Sequence, residues 1–302
     1  MIRSESETLF KKVALIGVGL IGSSIAHGIK DQNLASKVSV TAQSQRTLDT
    51  VIKLGLADEA TLDQKKAVSD CDLVIICAPL GSYGKIMENI GSNLDPGVII
   101  SDVGSVKQSV IDDISPHISE DIHLIPAHPV AGTEHSGPNA GFAELFKDRW
   151  CIITPPPNTE QLALDKVSQF WSALGANIEI MSPSRHDMIM AMTSHLPHLI
   201  AYTIVGTASD LEKSLTNEVI KFSAGGFRDF TRIAASDPTM WRDVFLNNRE
   251  AVLEMLQRFS EDITALQRSI RWGEGDKLFD LFSRTREVRR AVINAKQEKM
   301  YD

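Results

Sequence analysis

Ten consecutive residues, 128–137, hold a histidine followed by proline (His128, Pro129), a flexible Ala131-Gly132 pair, a carboxylate (Glu134) and a second histidine (His135). An imidazole near its ordinary pKa takes up and returns protons at neutral pH, which is the work of a general base. Pro129 disfavours helical backbone at the residue before it, so His128 is expected at a strand end, after the strand-like run 123–126. Strand ends are where open α/β sheets hold their ligands. The plainer alternative is a histidine that only finishes a strand.

A second chemical signal stands near the start. An apolar run, 12–16, leads into Gly17-Val-Gly-Leu-Ile-Gly22 and then into the helical stretch 23–30. In this strand–turn–helix context Gly17 permits the tight turn, Gly19 lets backbone approach a pyrophosphate, and Gly22 lets helix and strand pack closely. Leu20 and Ile21 complete the loop. Dinucleotide binding is the expected function.

At the end of the second strand, 37–41, an NAD-binding unit usually carries an acidic residue for the adenosine ribose. Here the chain reads Ala42-Gln43-Ser44-Gln45-Arg46, with no carboxylate. Ser44 and Arg46 could hold a 2′-phosphate, which means NADP; Gln43 or Ser44 could equally bond a ribose hydroxyl, which means NAD. Both cofactors stay open.

These groups need a scaffold, and the pattern supplies one. Strands are expected at 72–78, ending in Ala78-Pro79, and at 97–102, ending in Val103-Gly104-Ser105; helices are expected at 47–54, 83–90 and 105–114. Such β–α alternation implies a parallel sheet whose turns open on one edge. Gly17, Pro79, Ser105 and His128 should then line one crevice, with Ala78 and Gly104 beside the cofactor.

A strand at 150–154, a helix at 160–174 and a strand at 177–181 end the alternation. From residue 184 onward only helical spacing is found, so the expected domains are 10–182, a Rossmann-type dinucleotide-binding domain, and 183–302, an all-helical domain. Within the helical run 184–209, Pro197 should kink the helix and free a carbonyl near Thr193. His195 and His198, three apart, should share a face; core residues, substrate ligands and, least convincingly for want of a third ligand, a metal site are the readings. No metal is expected. Beyond Asp237-Pro238, an N-cap with proline in the first turn, apolar residues from Trp241 to Ile270 recur at three and four. A single stripe about 50 Å long at ~1.5 Å per residue needs a partner, most simply a second copy, hence an expected homodimer.

The bulk numbers exclude several classes. At 302 residues the chain is long enough for two domains, and 43% hydrophobic with 23% charged residues is ordinary for a soluble protein. A net charge of −8 argues against nucleic acid as partner. No apolar run is expected to reach membrane length, residues 1–12 are too polar for a signal peptide, and three cysteines suit reduced core thiols. A cytoplasmic protein is expected, with no membrane partner, no internal repeat and no low-complexity segment.

The glycine loop, Asp102-Val-Gly-Ser-Val-Lys107, residues 128–137, Ser194-His-Leu-Pro-His198 and residues 225–241, in that order, together resemble the prephenate/arogenate (cyclohexadienyl) dehydrogenase family of tyrosine biosynthesis. The likeness runs from about residue 12 to the end of the long helix; only the adenosine-ribose position departs from the common acidic pattern. It implies NAD(P)-dependent oxidative decarboxylation of prephenate or arogenate. By that resemblance His128 accepts the hydroxyl proton, Ser105 bonds the same hydroxyl and the nicotinamide, and Arg232 with His198 holds the ring carboxylate. Ser194, His195 and Glu134 shape or gate the substrate pocket, and Arg228 and Asp229 form a structural ion pair. No sequence is expected to remain for a fused mutase or a regulatory domain.

Two rivals are weighed. A β-hydroxyacid dehydrogenase shares the layout but should carry a lysine on the first long helix, and 184–209 contains none. A dinucleotide-sensing protein without turnover would have no need of His128, Ser105 and Arg232 together.

Overall fold

Alternation with period two decides the sheet. In β1 (Phe10–Ile16), Val13 and Leu15 face one core while Ala14 and Ile16 face another; Leu73 and Ile75 alternate with Val74 and Ile76 in β4 (Leu73–Ile76) in the same way. A strand apolar on both faces must be covered on both, which is the condition for a parallel sheet between helix layers. A computed structural model of the chain, describing residues 8–133, 135–210, 218, 221–222 and 224–294, has this architecture.

With β2 (Ala35–Thr41), β3 (Glu59–Thr61), β5 (Ile99–Asp102) and β6 (His123–Leu124), the strands form a six-stranded parallel sheet of order β3-β2-β1-β4-β5-β6. Helix α1 (Leu20–Asp31) covers one face through Ile25 and Ile29. After α2 (Gln45–Lys53) and α3 (Gln64–Val68), α4 (Tyr83–Ile90) and α5 (Gln108–Ile114) cover the other through Tyr83, Met87, Ile90 and Val110. The turns after β1, β4 and β5 therefore open side by side at the carboxyl edge.

His128 does not end a strand of this sheet. It is the middle residue of β7 (Ala127–Pro129), which pairs antiparallel with β8 (Trp150–Ile153), itself parallel to β9 (Asn177–Ile180), in a separate three-stranded sheet. Pro126, with no N–H to donate, separates β6 from β7 and lets the chain change sheets. Helix α6 (Gln161–Ala173) joins β8 to β9 and buries Phe170 and Trp171 in the first core.

Beyond Ile180 the described residues contain no strand. Ser182 caps α7 (Pro183–Met190) by accepting from the Arg185 N–H, and a π-helical turn, Ala191–His195, links it to α8 (Leu196–Ser209). Pro197 is thus accommodated by a widened turn just before it. The joined stretch Pro183–Ser209 is, by length and composition, long and apolar enough to cross a membrane, with mean hydropathy 1.3, which corrects the expectation that no run reaches that length. It carries buried polar groups, His186, Asp187 and His195, and Asp187 bonds to the start of α5.

Helix α9 (Gly225–Thr231) precedes α10 (Pro238–Asn247), whose Trp241 and Val244 enter the second core with Leu80 and Tyr83. The long helix expected from Trp241 to Ile270 is two helices: Asn248 (φ −103°, ψ 33°) leaves the helical region between α10 and α11 (Arg249–Trp272). Its amide bonds elsewhere, as described below. Gly273, at φ +69°, separates α11 from α12 (Gly275–Asn294). The chain divides into two compact units at Arg249/Glu250, the second made of α11 and α12 among its described residues.

Candidate active site

The glycine loop is built for close approach. Gly17 sits at φ +99°, and a Cβ there would lie 2.8 Å from the Cys77 carbonyl oxygen; a Cβ on Gly22 would strike the Gly17 carbonyl. Both positions are closed to side chains by the packing of β1, β4 and α1. Gly19 differs: a Cβ there meets nothing within 4 Å, and no side chain caps the start of α1. Open space over uncapped helical N–H groups fits the pyrophosphate of a dinucleotide. Leu20 is buried and Ile21 half-buried behind the loop, and Ala78, Pro79 and Gly104 stand at the neighbouring strand ends. Gln43, Ser44 and Arg46 are all exposed at the start of α2; Ser44 caps that helix by accepting the Thr47 N–H at 3.2 Å.

A buried ion pair connects the crevice to His128. The Lys107 ammonium, fully buried, lies 2.8 and 2.6 Å from the two Asp102 oxygens and donates to the Ala127 carbonyl at 2.7 Å. Asp102 also accepts the N–H groups of Gly104 (2.7 Å) and Ala127 (3.2 Å) and the Tyr83 hydroxyl (3.3 Å). Burial pulls the carboxyl up and the ammonium down, and their mutual attraction opposes both. Apart from the Tyr83 hydroxyl, the side-chain bonds of the pair end on Gly104 and Ala127, the residues just before Ser105 and His128. Half-buried Ser105 and buried His128 are thereby held by one cluster at the end of β5.

His128 Nδ1 lies 2.8 Å from His186 Nε2, and His186 Nδ1 lies 2.8 Å from Asp187 Oδ1. The Asp187 carboxylate further accepts the Lys107 N–H (2.7 Å) and the Gln108 N–H (2.9 Å) at the start of α5. Burial first, then the charges of His186, Lys107 and His195, hold His128 well below the usual histidine range. At neutral pH it is an unprotonated imidazole, and its Nε2 has no hydrogen-bond partner among the described residues.

His195 is fully buried, and burial holds its pKa down to about 4. The Asn248 amide nitrogen donates to the Asp187 carbonyl at 2.8 Å and lies 3.0 Å from His195 Nδ1. A carbonyl only accepts, so that atom is the NH2, His195 Nδ1 accepts from it, and the His195 proton sits on Nε2, which is turned to the Ser105 backbone without forming a well-aligned hydrogen bond among the described residues. His198 stacks on Trp241 with ring centroids 3.6 Å apart, and its Nδ1 lies 2.9 Å from the carbonyl of half-buried Ser194. Both histidines thus meet Trp241, at 6.1 and 3.6 Å between centroids, as the shared face implied. Arg232 is exposed, yet its charge helps to lower the His198 pKa, behind burial as the larger cause.

One expectation changes: Arg228 and Asp229, adjacent on α9, make no ion pair with each other. Glu134 lies outside the described residues. Sequence reasoning assigned no role to His186, Asp187, Asn248 or the Asp102–Lys107 pair. An adjacent His-Asp pair in an otherwise apolar helix was a visible signal; Asn248, inside a helical pattern, left none.

A doubly covered parallel sheet with an open glycine cradle beside a buried neutral imidazole defines a dinucleotide-dependent oxidoreductase. Comparisons agree and go further. The model for the prephenate dehydrogenase nucleotide-binding domain matches residues 25–180, and that for the prephenate dehydrogenase dimerization domain matches residues 182–284. A cyclohexadienyl dehydrogenase of Zymomonas mobilis is 41% identical over 285 residues, covering 94% of this chain and 97% of that protein. A prephenate dehydrogenase of Bacillus subtilis is 31% identical, covering 92% and 75%. Among solved structures, prephenate dehydrogenase from Aquifex aeolicus in complex with hydroxyphenyl propionate and NAD+ superposes with a TM-score of 0.88 at 28% identity, covering 96% and 100%. The chain belongs to the prephenate dehydrogenase family and is an NAD(P)-dependent oxidoreductase.

Proposed function

We propose that the protein carries out oxidative decarboxylation of prephenate, arogenate or both, with His128 as the base. The observation that carries this reading is the buried, neutral imidazole with an unpartnered Nε2, tied through Ala127, Asp102 and Lys107 to the strand end that bears Ser105. When bound, nicotinamide accepts the hydride that leaves the ring carbinol carbon. His128 takes the hydroxyl proton as the carbonyl forms, and Ser105 bonds the same oxygen. Decarboxylation then returns an electron pair to the ring, whose aromatisation drives the step. His128 gives the proton back to what becomes the phenol oxygen, so none is exchanged overall. Arg232 presents a planar fork to the ring carboxylate. His198, fixed on Trp241, assists it, and buried His195 shapes the pocket beside Ser194. In this reading Glu134 gates the pocket.

Both cofactors are accepted in this reading, because no carboxylate stands among residues 42–46 to repel a 2′-phosphate and Arg46 is exposed to bind one. Residues 10–182 bind the dinucleotide; residues 183–302 bring Arg232 and His198 to the substrate and form a homodimer. Support for the dimer comes from α11 and α12, which expose Ile270, Trp272, Phe279, Phe282 and Val288. A cytoplasmic location suits the free Cys71, Cys77 and Cys151.

The test is the initial rate of cofactor reduction with prephenate and with arogenate, each with NAD and with NADP. Turnover with either substrate is expected, with both cofactors active. No turnover in any combination, from folded protein that binds dinucleotide, would overturn the reading.

A further inference from the structure

We infer that His186 and Asp187 are positioning residues for His128, and that the hydrogen-bonded chain His128–His186–Asp187 holds the substrate hydroxyl proton between its removal and its return. This rests on His128 being the base. The argument begins at the far end. Both Asp187 oxygens already accept from backbone N–H groups, Oδ1 from Lys107 and Oδ2 from Gln108, so the side chain acts as an acceptor toward His186 as well. His186 Nδ1 must therefore carry the proton of the 2.8 Å bond. Burial keeps His186 neutral against the pull of Asp187, so its Nε2 is a lone pair. His128 Nδ1 must then donate to it at 2.8 Å, and the His128 lone pair falls on Nε2, the nitrogen with no partner. Two residues that touch no reacting atom decide which nitrogen of His128 is the base.

The same chain has a place for the proton. As hydride leaves the carbinol carbon for nicotinamide, the O–H bond breaks, its electron pair forms the C=O bond, and its proton bonds His128 Nε2. The Nδ1 proton can then pass to His186 Nε2, which leaves the positive charge on the ring bonded to Asp187. A charge-assisted bond of this kind is roughly twice as strong as a neutral one. When carbon dioxide departs and the ring oxygen takes up negative charge, the two protons step back, and the first rejoins that oxygen. The groups that face the chain from the packed elements are Asp102 on β5, Lys107 before α5, Cys151 on β8 and His195 on the π-helical turn. Lys107 opposes charge on both rings, but only His186 has carboxylates, Asp187 and Asp102, whose pull favours charge on it, and this draws the charge toward Asp187.

The experiment uses His186→Gln, whose side-chain oxygen can still accept from His128 Nδ1 but cannot take the proton, with cofactor binding and thermal midpoint as checks of folding. We expect kcat to fall at least about tenfold. The acidic limb of the pH profile of kcat/KM should move to lower pH, because Asp187 no longer stabilises the protonated pair. A wild-type kcat and an unmoved limb would overturn the chain, and so would a lower kcat with an unmoved limb. His128→Asn run beside it separates the two readings: retained turnover there removes the base itself, whereas an inactive His128→Asn with a wild-type His186→Gln removes only the relay. Ring-nitrogen NMR of the unaltered protein at neutral pH tests the same point without a substitution. Both His128 and His186 should be Nδ1–H tautomers; an Nε2–H tautomer at His128 would overturn the proposal.

Discussion

Arg232 is a guanidinium at the surface with no ion pair among the described residues, near enough to His198 to act on its pKa. A planar donor fork without an internal partner costs the protein little to keep ready for a carboxylate that arrives with the ligand. Arg232→Ala is therefore expected to raise KM for the cyclohexadienol by roughly 30–150-fold, equivalent to about 2–3 kcal/mol for a lost charge-assisted contact, with a smaller change in kcat. Initial rates over a substrate series check this, and an unchanged KM would move the ring carboxylate to another residue. His198 is a different kind of group: its stack on Trp241 fixes the ring plane whether or not ligand is present.

Between β1 and α1, the three glycines of one motif do different work. Gly19 faces open space with extended backbone (φ −74°, ψ −160°), a conformation any residue can adopt. Gly22 faces the Gly17 carbonyl and the Cys77 Cβ. Gly19→Ala should leave the thermal midpoint near that of the unaltered protein while weakening dinucleotide binding, since the added methyl occupies the pyrophosphate's approach. Gly22→Ala should lower both, because α1 must move off the sheet. Thermal melts with and without NAD separate the two, and equal midpoints for both variants would contradict the packing argument. Asn248 shows an element boundary set by tertiary bonding: its amide bridges Asp187 and His195 where spacing alone would have continued the helix.

For the whole molecule, the exposed apolar residues of α11 and α12 call for a partner surface. Sedimentation is expected to give twice the mass of one chain, and Phe279→Glu with Phe282→Glu is expected to give a monomer that still binds cofactor; an unshifted dimer would place the interface elsewhere. Burial of imidazoles has a consequence for stability. His128, His186, His195 and His198 are all held below the ordinary value of 6.5, His195 to about 4. Between those values the unfolded chain binds more protons than the folded one. The stability they contribute is thus present above about pH 6.5 and is lost as pH falls toward about 4, at ~1.4 kcal/mol per pH unit for each proton. Asp102, raised by burial, opposes part of this. Urea midpoints at a series of pH values should decline through that window, and a flat series would mean that the histidines are not buried neutral.

Much of this was legible before any coordinates. The glycine loop carries its function in local backbone, because a turn, a close approach and a helix start are decided within six residues. Period-two alternation with helical stretches between strands was enough for a doubly covered parallel sheet. His128, Ser105 and Arg232 stood out because each lies in a motif with the punctuation of a strand end or helix break. The tertiary structure alone decided the rest. The change of sheet at Pro126, the break at Asn248, the Asp102–Lys107 pair and the His128–His186–Asp187 chain each join residues whose partners are far apart in the sequence or are reached only through packing. Residues 58 positions apart, such as His128 and His186, have no local pattern that signals their contact. Spacing encodes which face a side chain takes, whereas the tautomer and charge of a buried ring follow from what the fold packs against it.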